Sequence, residues 1–195
     1  MKDGTNDRPV WAHDAFFHAW WADAEGKVLA GEYPGQKNDV AGTREKLSLL
    51  AAAGVGTIID LTHPTDRLEG YEQHLRDGTA DCGGELRRVA HPIPDVSVTS
   101  AEHYERIVAD IENALAAGQK VFIHCWGGVG RTGTVVGIWH VHRGLDPDTA
   151  LDRIAEARQG TRKWDRRAPE TPEQRQAILA AHARRTNGFR GDGNS

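Results

Sequence analysis

The chain has 195 residues, of which 38% are hydrophobic and 27% are charged, and its formal net charge at pH 7 is −4. This composition is typical of one globular domain, and the small negative charge gives no reason to expect a nucleic-acid or membrane partner. The lack of a long apolar run, of a signal-peptide pattern and of more than two cysteines favours a cytoplasmic protein without a disulfide framework.

The sequence predicts one domain over residues 1–186, with residues 1–20 as a partly packed N-terminal extension and residues 187–195 as a disordered tail. The extension and the residue after it are rich in aromatic and histidine side chains, namely Trp11, His13, Phe16, Phe17, His18, Trp20 and Trp21. A metal site is one interpretation, but no histidine pair here has a carboxylate or a cysteine at ligand spacing. We therefore expect these side chains to pack against the domain, and we expect no metal or organic cofactor.

The rest of the chain alternates between strand and helix signals. In chain order, the predicted elements are a strand at 28–30, a helix at 43–53, a strand at 57–61, a mixed helical stretch at 68–76, a strand at 86–91, a helix that starts at 99–102 and ends at 117, a strand at 120–123, and helices at 132–143, 147–158 and 172–185. This alternation predicts an α/β fold in which a central, mostly parallel sheet is flanked by helices on both faces.

The most informative stretch spans residues 121–133. A buried strand ends at His124 and Cys125, a glycine-rich loop follows, and a helix begins near Gly130. Such a loop turns successive backbone N–H groups inward, and the helix N-terminus adds about half a positive charge. We expect a phosphate or sulfate ion to bind here, held by the loop residues Trp126, Gly127, Gly128, Val129, Gly130 and Arg131.

The side chains of this stretch suit an attack on phosphorus. The N–H groups that hold a dianion also stabilise a thiolate, so Cys125 is the expected nucleophile. Arg131 can bind two oxygens with its planar guanidinium, and Thr132 can donate its hydroxyl to the sulfur and help it leave. A buried structural cysteine is the alternative interpretation, but it does not explain three glycines followed by Arg131 and Thr132.

The pattern His-Cys-x-x-Gly-x-x-Arg-Thr-Gly resembles the signature of cysteine-dependent protein phosphatases of the tyrosine and dual-specificity type. Within that group, the chain looks most like the small bacterial and kinase-associated enzymes. Residues 31–35 resemble an entry motif, residues 58–62 a core strand, and residues 91–95 the segment that carries the general acid. The resemblance covers the chain from about Trp20 to about Ala181, and it implies the family's phosphatase fold.

The resemblance implies roles for two residues outside the loop's own positions. Asp95 is the implied general acid, which protonates the leaving oxygen, while a turn aspartate after Pro94 is the alternative. His124 is implied to orient the loop and hold the thiolate, and this role overlaps with that of a buried core histidine. Asp60, inside an apolar strand, is expected to brace the loop instead.

Gln174 has two interpretations. It completes a capping box with Thr171 at the start of the last helix, which needs no catalysis. The family, however, places a glutamine on this segment to hold the hydrolytic water, and often a second one four residues earlier, where this chain has Glu170. Cys82, in a predicted loop, is expected to be a bystander thiol, with a reversible disulfide to Cys125 as the alternative.

These features predict phosphomonoester hydrolysis through a phosphocysteine, with a phosphorylated protein or peptide as the substrate. The loop residues Trp126 and Val129 are apolar where relatives that act on inositol lipids carry lysines, which favours a substrate with one phosphate. Three alternatives remain: a phosphatase of a small metabolite or phosphoinositide, an inactive phospho-binding module, and a sulfur-transfer or arsenate-reducing enzyme with the same loop geometry.

Overall fold

A five-stranded sheet forms the centre of the fold. The computed structural model describes residues 9–76 and 85–191. The strands are β1 (Ala19–Trp21), β2 (Val28–Gly31), β3 (Val55–Asp60), β4 (Arg87–Ala90) and β5 (Lys120–His124). Their spatial order is β1-β2-β5-β3-β4, with β1 antiparallel to β2 and the remaining neighbours parallel. The predicted, mostly parallel sheet is thus confirmed.

The central strand β5 is covered on both faces. Val121 and Ile123 point into one hydrophobic cluster, and Phe122, between them, points into the other. This alternation follows from the two-residue period of a strand. A strand that is buried on both faces needs apolar residues at successive positions, which explains the unbroken apolar run that precedes the loop.

Five α-helices complete the fold within the described residues: α1 (Val40–Ala52), α2 (Ala101–Ala116), α3 (Gly130–His142), α4 (Pro147–Arg158) and α5 (Pro172–Gly191). The last four pack on one face of the sheet through residues such as Ile107, Val136, Ile154 and Ile178. Helix α1 packs on the opposite face through Leu47 and its neighbours. Helices therefore cover both faces, as predicted. In the part of the chain that the structure describes, no helix is long and apolar enough to cross a lipid bilayer.

Side-chain caps set where several helices begin. Ser100 accepts a hydrogen bond from the His103 N–H at the start of α2 (3.2 Å), and Asp146 accepts one from the Thr149 N–H at the start of α4 (3.0 Å). Helix α1 begins at Val40 rather than at residue 43, because Asp39 caps it. Each of these side chains satisfies an N–H group that has no partner within its helix.

Three predictions of element boundaries need correction. Residues 19–21 form β1, which pairs with β2, so residues 19 and 20 belong to the sheet and not to the predicted extension; their side chains alternate between the two faces of the sheet. The stretch at 68–76 contains only a short 3-10 helix, Glu72–His74. Helix α5 continues to Gly191 and includes residues 187–191, which were expected to be disordered. Glycine lowers helix stability by only about 1 kcal/mol relative to alanine and does not by itself end a helix.

Candidate active site

The glycine-rich loop lies at the carboxyl edge of the sheet. Strand β5 ends at His124, which is level with Asp60 of β3 on one side and Gly31 of β2 on the other. Helix α3 begins at Gly130, so the loop comprises residues 125–129. Ligands of parallel α/β sheets bind at this edge, because the strand ends and the helix N-termini meet there.

Three consecutive carbonyl groups of the loop are held by donors from outside it. The carbonyl oxygens of Cys125, Trp126 and Gly127 accept hydrogen bonds from His124 Nδ1 (3.2 Å), the Tyr33 backbone N–H (3.0 Å) and Lys163 Nζ (2.9 Å), respectively. In a trans peptide group the C=O and the following N–H point in opposite directions. The N–H groups of residues 126–128 therefore face away from these donors, which is the arrangement of an anion-binding nest.

Gly128 fixes how closely the loop approaches the sheet. Its φ is +71°, and a Cβ at this position would lie 2.6 Å from the carbonyl oxygen of Gly31. Any side chain would therefore combine a disfavoured backbone conformation with a clash against the backbone at the end of β2. Only glycine allows the loop to lie against the sheet in this way.

Arg131, on the first turn of α3, is buried beside the loop. Its Nη1 donates to Asp66 Oδ2 (2.7 Å) and to the Ile93 carbonyl (2.9 Å), and its Nη2 lies 2.9 Å from Asp95 Oδ1. Burial lowers the pKa of Arg131, but Cys125, Asp66 and Asp95 outweigh this effect and raise it above the usual range. Among the described residues, Nε has no hydrogen-bond partner and Nη2 has only its ion pair with the half-exposed Asp95, so these two donors suit the oxygens of a bound anion.

Asp66 was not identified in the sequence, although it contacts the central arginine. It ends the 3-10 helix Pro64–Asp66, where its side chain also accepts a hydrogen bond from the His63 N–H (3.1 Å). Residues 63–66 form a capping box, a local feature that gives no sign that the turn meets Arg131.

Asp95 lies at the rim of the site, and its side chain is 46% exposed. The next residue, Val96, has a φ of +54°, a conformation that a β-branched residue rarely adopts. The backbone therefore turns sharply after Asp95 and leaves its carboxylate facing both solvent and Arg131. A turn aspartate and a general acid were the two interpretations, and the geometry is compatible with an acid at this place.

Hydrogen bonds hold both ends of the segment that carries Asp95. At its start, His91 Nε2 donates to Asp110 Oδ2 (2.8 Å), and His91 Nδ1 lies 3.2 Å from His103 Nε2. At its end, Thr99 Oγ1 lies 2.9 Å from His103 Nδ1. The Asp110 carboxylate can only accept, which, with both imidazoles neutral, fixes the direction of all three hydrogen bonds. Thr99 Oγ1 donates to His103 Nδ1, His103 Nε2 donates to His91 Nδ1, and His91 Nε2 donates to Asp110.

His124 is a fully buried residue that also orients the loop, so the two interpretations of it coincide. Its Nδ1 donates to the Cys125 carbonyl, which leaves Nε2 to accept a hydrogen bond from the Tyr71 hydroxyl (2.8 Å). Burial lowers the pKa of His124 and so favours this neutral form. Asp60 was expected to brace the loop; its carboxylate accepts hydrogen bonds from the Thr62 N–H (2.8 Å) and from Arg88 Nε (2.7 Å), and it lies 3.7 Å from His124 Nε2.

Thr132 differs from expectation. Thr132 Oγ1 is buried without a hydrogen-bond partner among the described residues, so the predicted hydrogen bond to the Cys125 sulfur is not formed. Trp126 is 54% exposed at the rim, whereas Val129 is buried in the core.

Gln174 forms the capping box that the sequence predicted. Its Oε1 accepts from the Glu170 and Thr171 N–H groups (3.1 and 3.2 Å), and Thr171 Oγ1 accepts from the Gln174 N–H (3.2 Å). Its Nε2 donates to the Ser97 carbonyl (3.3 Å), just beyond Asp95. Gln174 therefore joins α5 to the segment that carries Asp95, while the carboxylate of Glu170 lies near Gly130. Cys82 lies outside the described residues.

No group of three or more histidine, cysteine or acidic side chains in the described ranges is arranged to hold a metal ion. The site therefore consists of backbone donors, one thiol, one guanidinium and nearby carboxylates. This donor set can bind a tetrahedral anion and present a sulfur nucleophile to it.

Comparison with known proteins agrees with this geometry. Residues 37–185 match the family described as "PTP-SAK: Swiss Army Knife protein, DSP-PTPase phosphatase domain". The crystal structure of Tk-PTP in its active form is 30% identical, with a TM-score of 0.61 over 85% of this chain and 97% of that chain. Kinase associated phosphatase (KAP), with its catalytic-site cysteine substituted by serine, has the same fold: it is 20% identical, with a TM-score of 0.64 over 85% of this chain and 97% of that chain.

Two further similarities are more distant or shorter. PTPMT1 in complex with PI(5)P is 20% identical, with a TM-score of 0.63 over 88% of this chain and 98% of that chain. An uncharacterized protein of Methanocaldococcus jannaschii, MJECL20, is 38% identical over 55 residues, which are 28% of this chain and 37% of that protein. The chain thus matches little more than a third of the length of this curated relative.

The α/β fold, with a glycine-rich loop between its central strand and the following helix, and the family match together place the chain among phosphatases of the dual-specificity type. The matching family covers well over half of the chain, and the chain belongs to it: the PTP-SAK family of DSP-PTPase phosphatase domains.

Proposed function

We propose that this protein hydrolyses phosphate monoesters through a phosphocysteine at Cys125, and that its substrates are phosphorylated protein side chains. The observation that carries the proposal is the orientation of the loop. Three neighbouring N–H groups face away from their held carbonyl groups, beside the buried guanidinium of Arg131. A phosphate dianion complements these donors in charge and in hydrogen bonding.

In the first step, the Cys125 thiolate attacks phosphorus, so that an S–P bond forms while the bond from phosphorus to the ester oxygen breaks. The loop N–H groups and Arg131 stabilise the charge on the equatorial oxygens. Asp95 gives its proton to the leaving oxygen, and the alcohol leaves neutral. A phosphate oxygen at Arg131 Nη2 takes the place of the Asp95 carboxylate, which moves to the leaving-group side.

In the second step, water attacks the phosphocysteine, so that a P–O bond forms and the S–P bond breaks. The Asp95 carboxylate accepts the proton of this water, which regenerates the acid for the next cycle. The side-chain amide of Gln174 is engaged at both its oxygen and its nitrogen. We therefore give Gln174 the role of ordering the acid segment rather than of holding the water.

Protein side chains are favoured as substrates because Trp126 stands exposed at the rim and the loop itself carries no lysine. A phosphoinositide or a small phosphorylated metabolite is the second candidate. It is supported by the basic residues at 162–167, a segment whose Lys163 contacts the loop, and by the fold similarity to PTPMT1, which was crystallised with PI(5)P. We place the activity in the cytoplasm, where a thiolate stays reduced.

Hydrolysis of para-nitrophenyl phosphate at pH 4–8, with a metal chelator and a reductant, tests the chemistry. We expect turnover by the wild type and none by Cys125→Ser, which should still bind inorganic phosphate in calorimetry. A wild type that is inactive under these conditions would contradict the proposal. Rates on phosphotyrosine, phosphothreonine and inositol phosphate substrates, compared as kcat/KM, then decide between the two substrate classes.

A further inference from the structure

The peptide group between Gly127 and Gly128 joins two glycines of the loop. A side chain at Gly127 would meet nothing within 4 Å, and Gly128 has a left-handed φ. Because neither residue has a Cβ, no side chain of the two residues themselves resists rotation of this peptide group. Rotation would turn the Gly128 N–H away from the anion side and bring the Gly127 carbonyl oxygen toward it, where it would repel a phosphate.

The donor that holds this peptide group comes from a distant part of the chain. Lys163, between α4 and α5, places its Nζ 2.9 Å from the Gly127 carbonyl oxygen and 2.8 Å from Glu32 Oε2. The carbonyl groups of the two preceding residues are held by the adjacent histidine and by a backbone N–H. The Gly127 carbonyl is thus the one of these three that is held by a charged side chain.

Lys163 is itself fixed at both ends. Its backbone carbonyl accepts a hydrogen bond from the buried Arg158, which also binds the carbonyl of Arg166. Its ammonium is paired with Glu32, whose side chain is only 14% exposed and also binds Arg162. Burial raises the pKa of Glu32, but Lys163 and the neighbouring donors outweigh this effect and lower it, so Glu32 is ionised.

We propose that Lys163 is a positioning residue for the phosphate loop: anchored by Glu32, it holds the Gly127 carbonyl outward and so keeps the Gly128 N–H directed at the phosphate. This inference rests on the proposed function. Lys163 touches neither the sulfur nor the leaving group, and it acts through a single peptide group. Its removal should therefore weaken phosphate binding and the stabilisation of the transition state together.

The test compares Lys163→Met and Lys163→Arg with Lys27→Met as the matched control. Lys27 also forms an ion pair, with Glu25, but on an exposed surface without contact to the loop. The measurements are kcat/KM for para-nitrophenyl phosphate, the dissociation constant of inorganic phosphate from calorimetry, and the melting temperature. We expect Lys163→Met to lower kcat/KM by about 10- to 100-fold and to weaken phosphate binding, while Lys163→Arg, which can still donate, recovers most of both.

Glu32→Gln should also lower kcat/KM and weaken phosphate binding. The double variant with Lys163→Met should lose much less activity than the sum of the two single losses, because both changes break the same support of the Gly127 carbonyl. Unchanged phosphate binding in a folded Lys163→Met variant would overturn the proposal, and so would a lowered melting temperature with unchanged kinetics. A wild type that neither binds phosphate nor hydrolyses the ester would instead refute the proposed function itself.

Discussion

At the scale of single residues, Arg131 is the most constrained side chain of the site. Its Nη1 is bound by groups from two separate segments, the turn that ends at Asp66 and the stretch before Asp95. A donor that is oriented before the substrate arrives needs no reorganisation during the reaction. The planar guanidinium can meet these partners and two phosphate oxygens at once, whereas an ammonium cannot.

Arg131→Lys should therefore lower kcat for para-nitrophenyl phosphate by about 10²- to 10³-fold, although the charge is kept. Steady-state kinetics and phosphate binding measure the effect. Arg143→Lys is the matched control, since Arg143 pairs with Glu112 on the surface. A loss of less than threefold would show that charge alone is sufficient at this position.

Asp95→Asn should slow substrates with a poor leaving group by about 10²- to 10⁴-fold, because the leaving oxygen then has no proton donor. An activated ester, whose leaving group needs no proton, should be affected far less. The comparison of phenyl phosphate with para-nitrophenyl phosphate provides the measurement. Equal losses on both esters would remove Asp95 from the acid role.

The sequence predicted the parts of the site that are local in the chain. Cys125 and Arg131 lie within one motif, so strand, loop and helix signals were enough to place them together. Asp66 and Lys163 meet the site from positions 65 and 36 residues away from their partners, and no local pattern marks such contacts. The expected hydrogen bond from the Thr132 hydroxyl is not formed among the described residues, because spacing in a motif does not determine a side-chain direction.

At the scale of elements, the start of α5 is bound to the segment of residues 95–97, which carries Asp95 and is called the acid segment. Gln174 caps the helix with its oxygen and binds the Ser97 carbonyl with its nitrogen. The sharp turn at Val96 lies between Asp95 and this contact. A change at the helix start can therefore reach Asp95, the proposed general acid, without touching the phosphate loop.

Gln174→Ala should lower both the stability and the rate with phenyl phosphate, because it removes the cap and the contact to the acid segment. Thr171→Ala is the control, since it removes a cap oxygen, at a cost of about 1 kcal/mol, and leaves Gln174 Nε2 in place. We expect similar losses in melting temperature but a severalfold lower rate only for Gln174→Ala. Equal rates in the two variants would show that Gln174 is a cap and nothing more.

Element boundaries, too, were predicted where the signals are local in the sequence and missed where they depend on contacts with distant residues. The bounds of α4 were predicted correctly, because Asp146, Pro147 and the helical spacing are all local signals. Strand β1 was missed, because its two tryptophans face opposite sides of the sheet and only pairing with β2 reveals the alternation. Tertiary pairing decides the structure of such short apolar segments.

At the scale of the whole molecule, buried histidines make stability depend on pH. Burial lowers the pKa values of His18 and His124 in the folded state. Below the ordinary histidine pKa of about 6.5, the unfolded chain binds protons that these residues do not bind when folded. Their contribution to stability is therefore complete above that pH and is lost as the pH falls toward their folded values.

The free energy of unfolding should thus fall between pH 7.5 and pH 5, by up to about 1.4 kcal/mol per pH unit for each fully linked proton. Denaturant titrations at several pH values measure this slope. His124→Asn, which can keep the hydrogen bond to the Cys125 carbonyl, should have a smaller slope than the wild type. An identical slope would show that His124 does not contribute to the dependence.

The approach of the Gly128 backbone to that of Gly31 has a consequence for how this protein can evolve. A Cβ at Gly31 would lie 2.5 Å from the His18 carbonyl oxygen, so both partners of the contact exclude a side chain. Neither position can change first and be rescued by the other, because each is blocked by backbone atoms. In a saturation library both sites should be invariant, and the loop should be inherited together with the end of β2 as one unit.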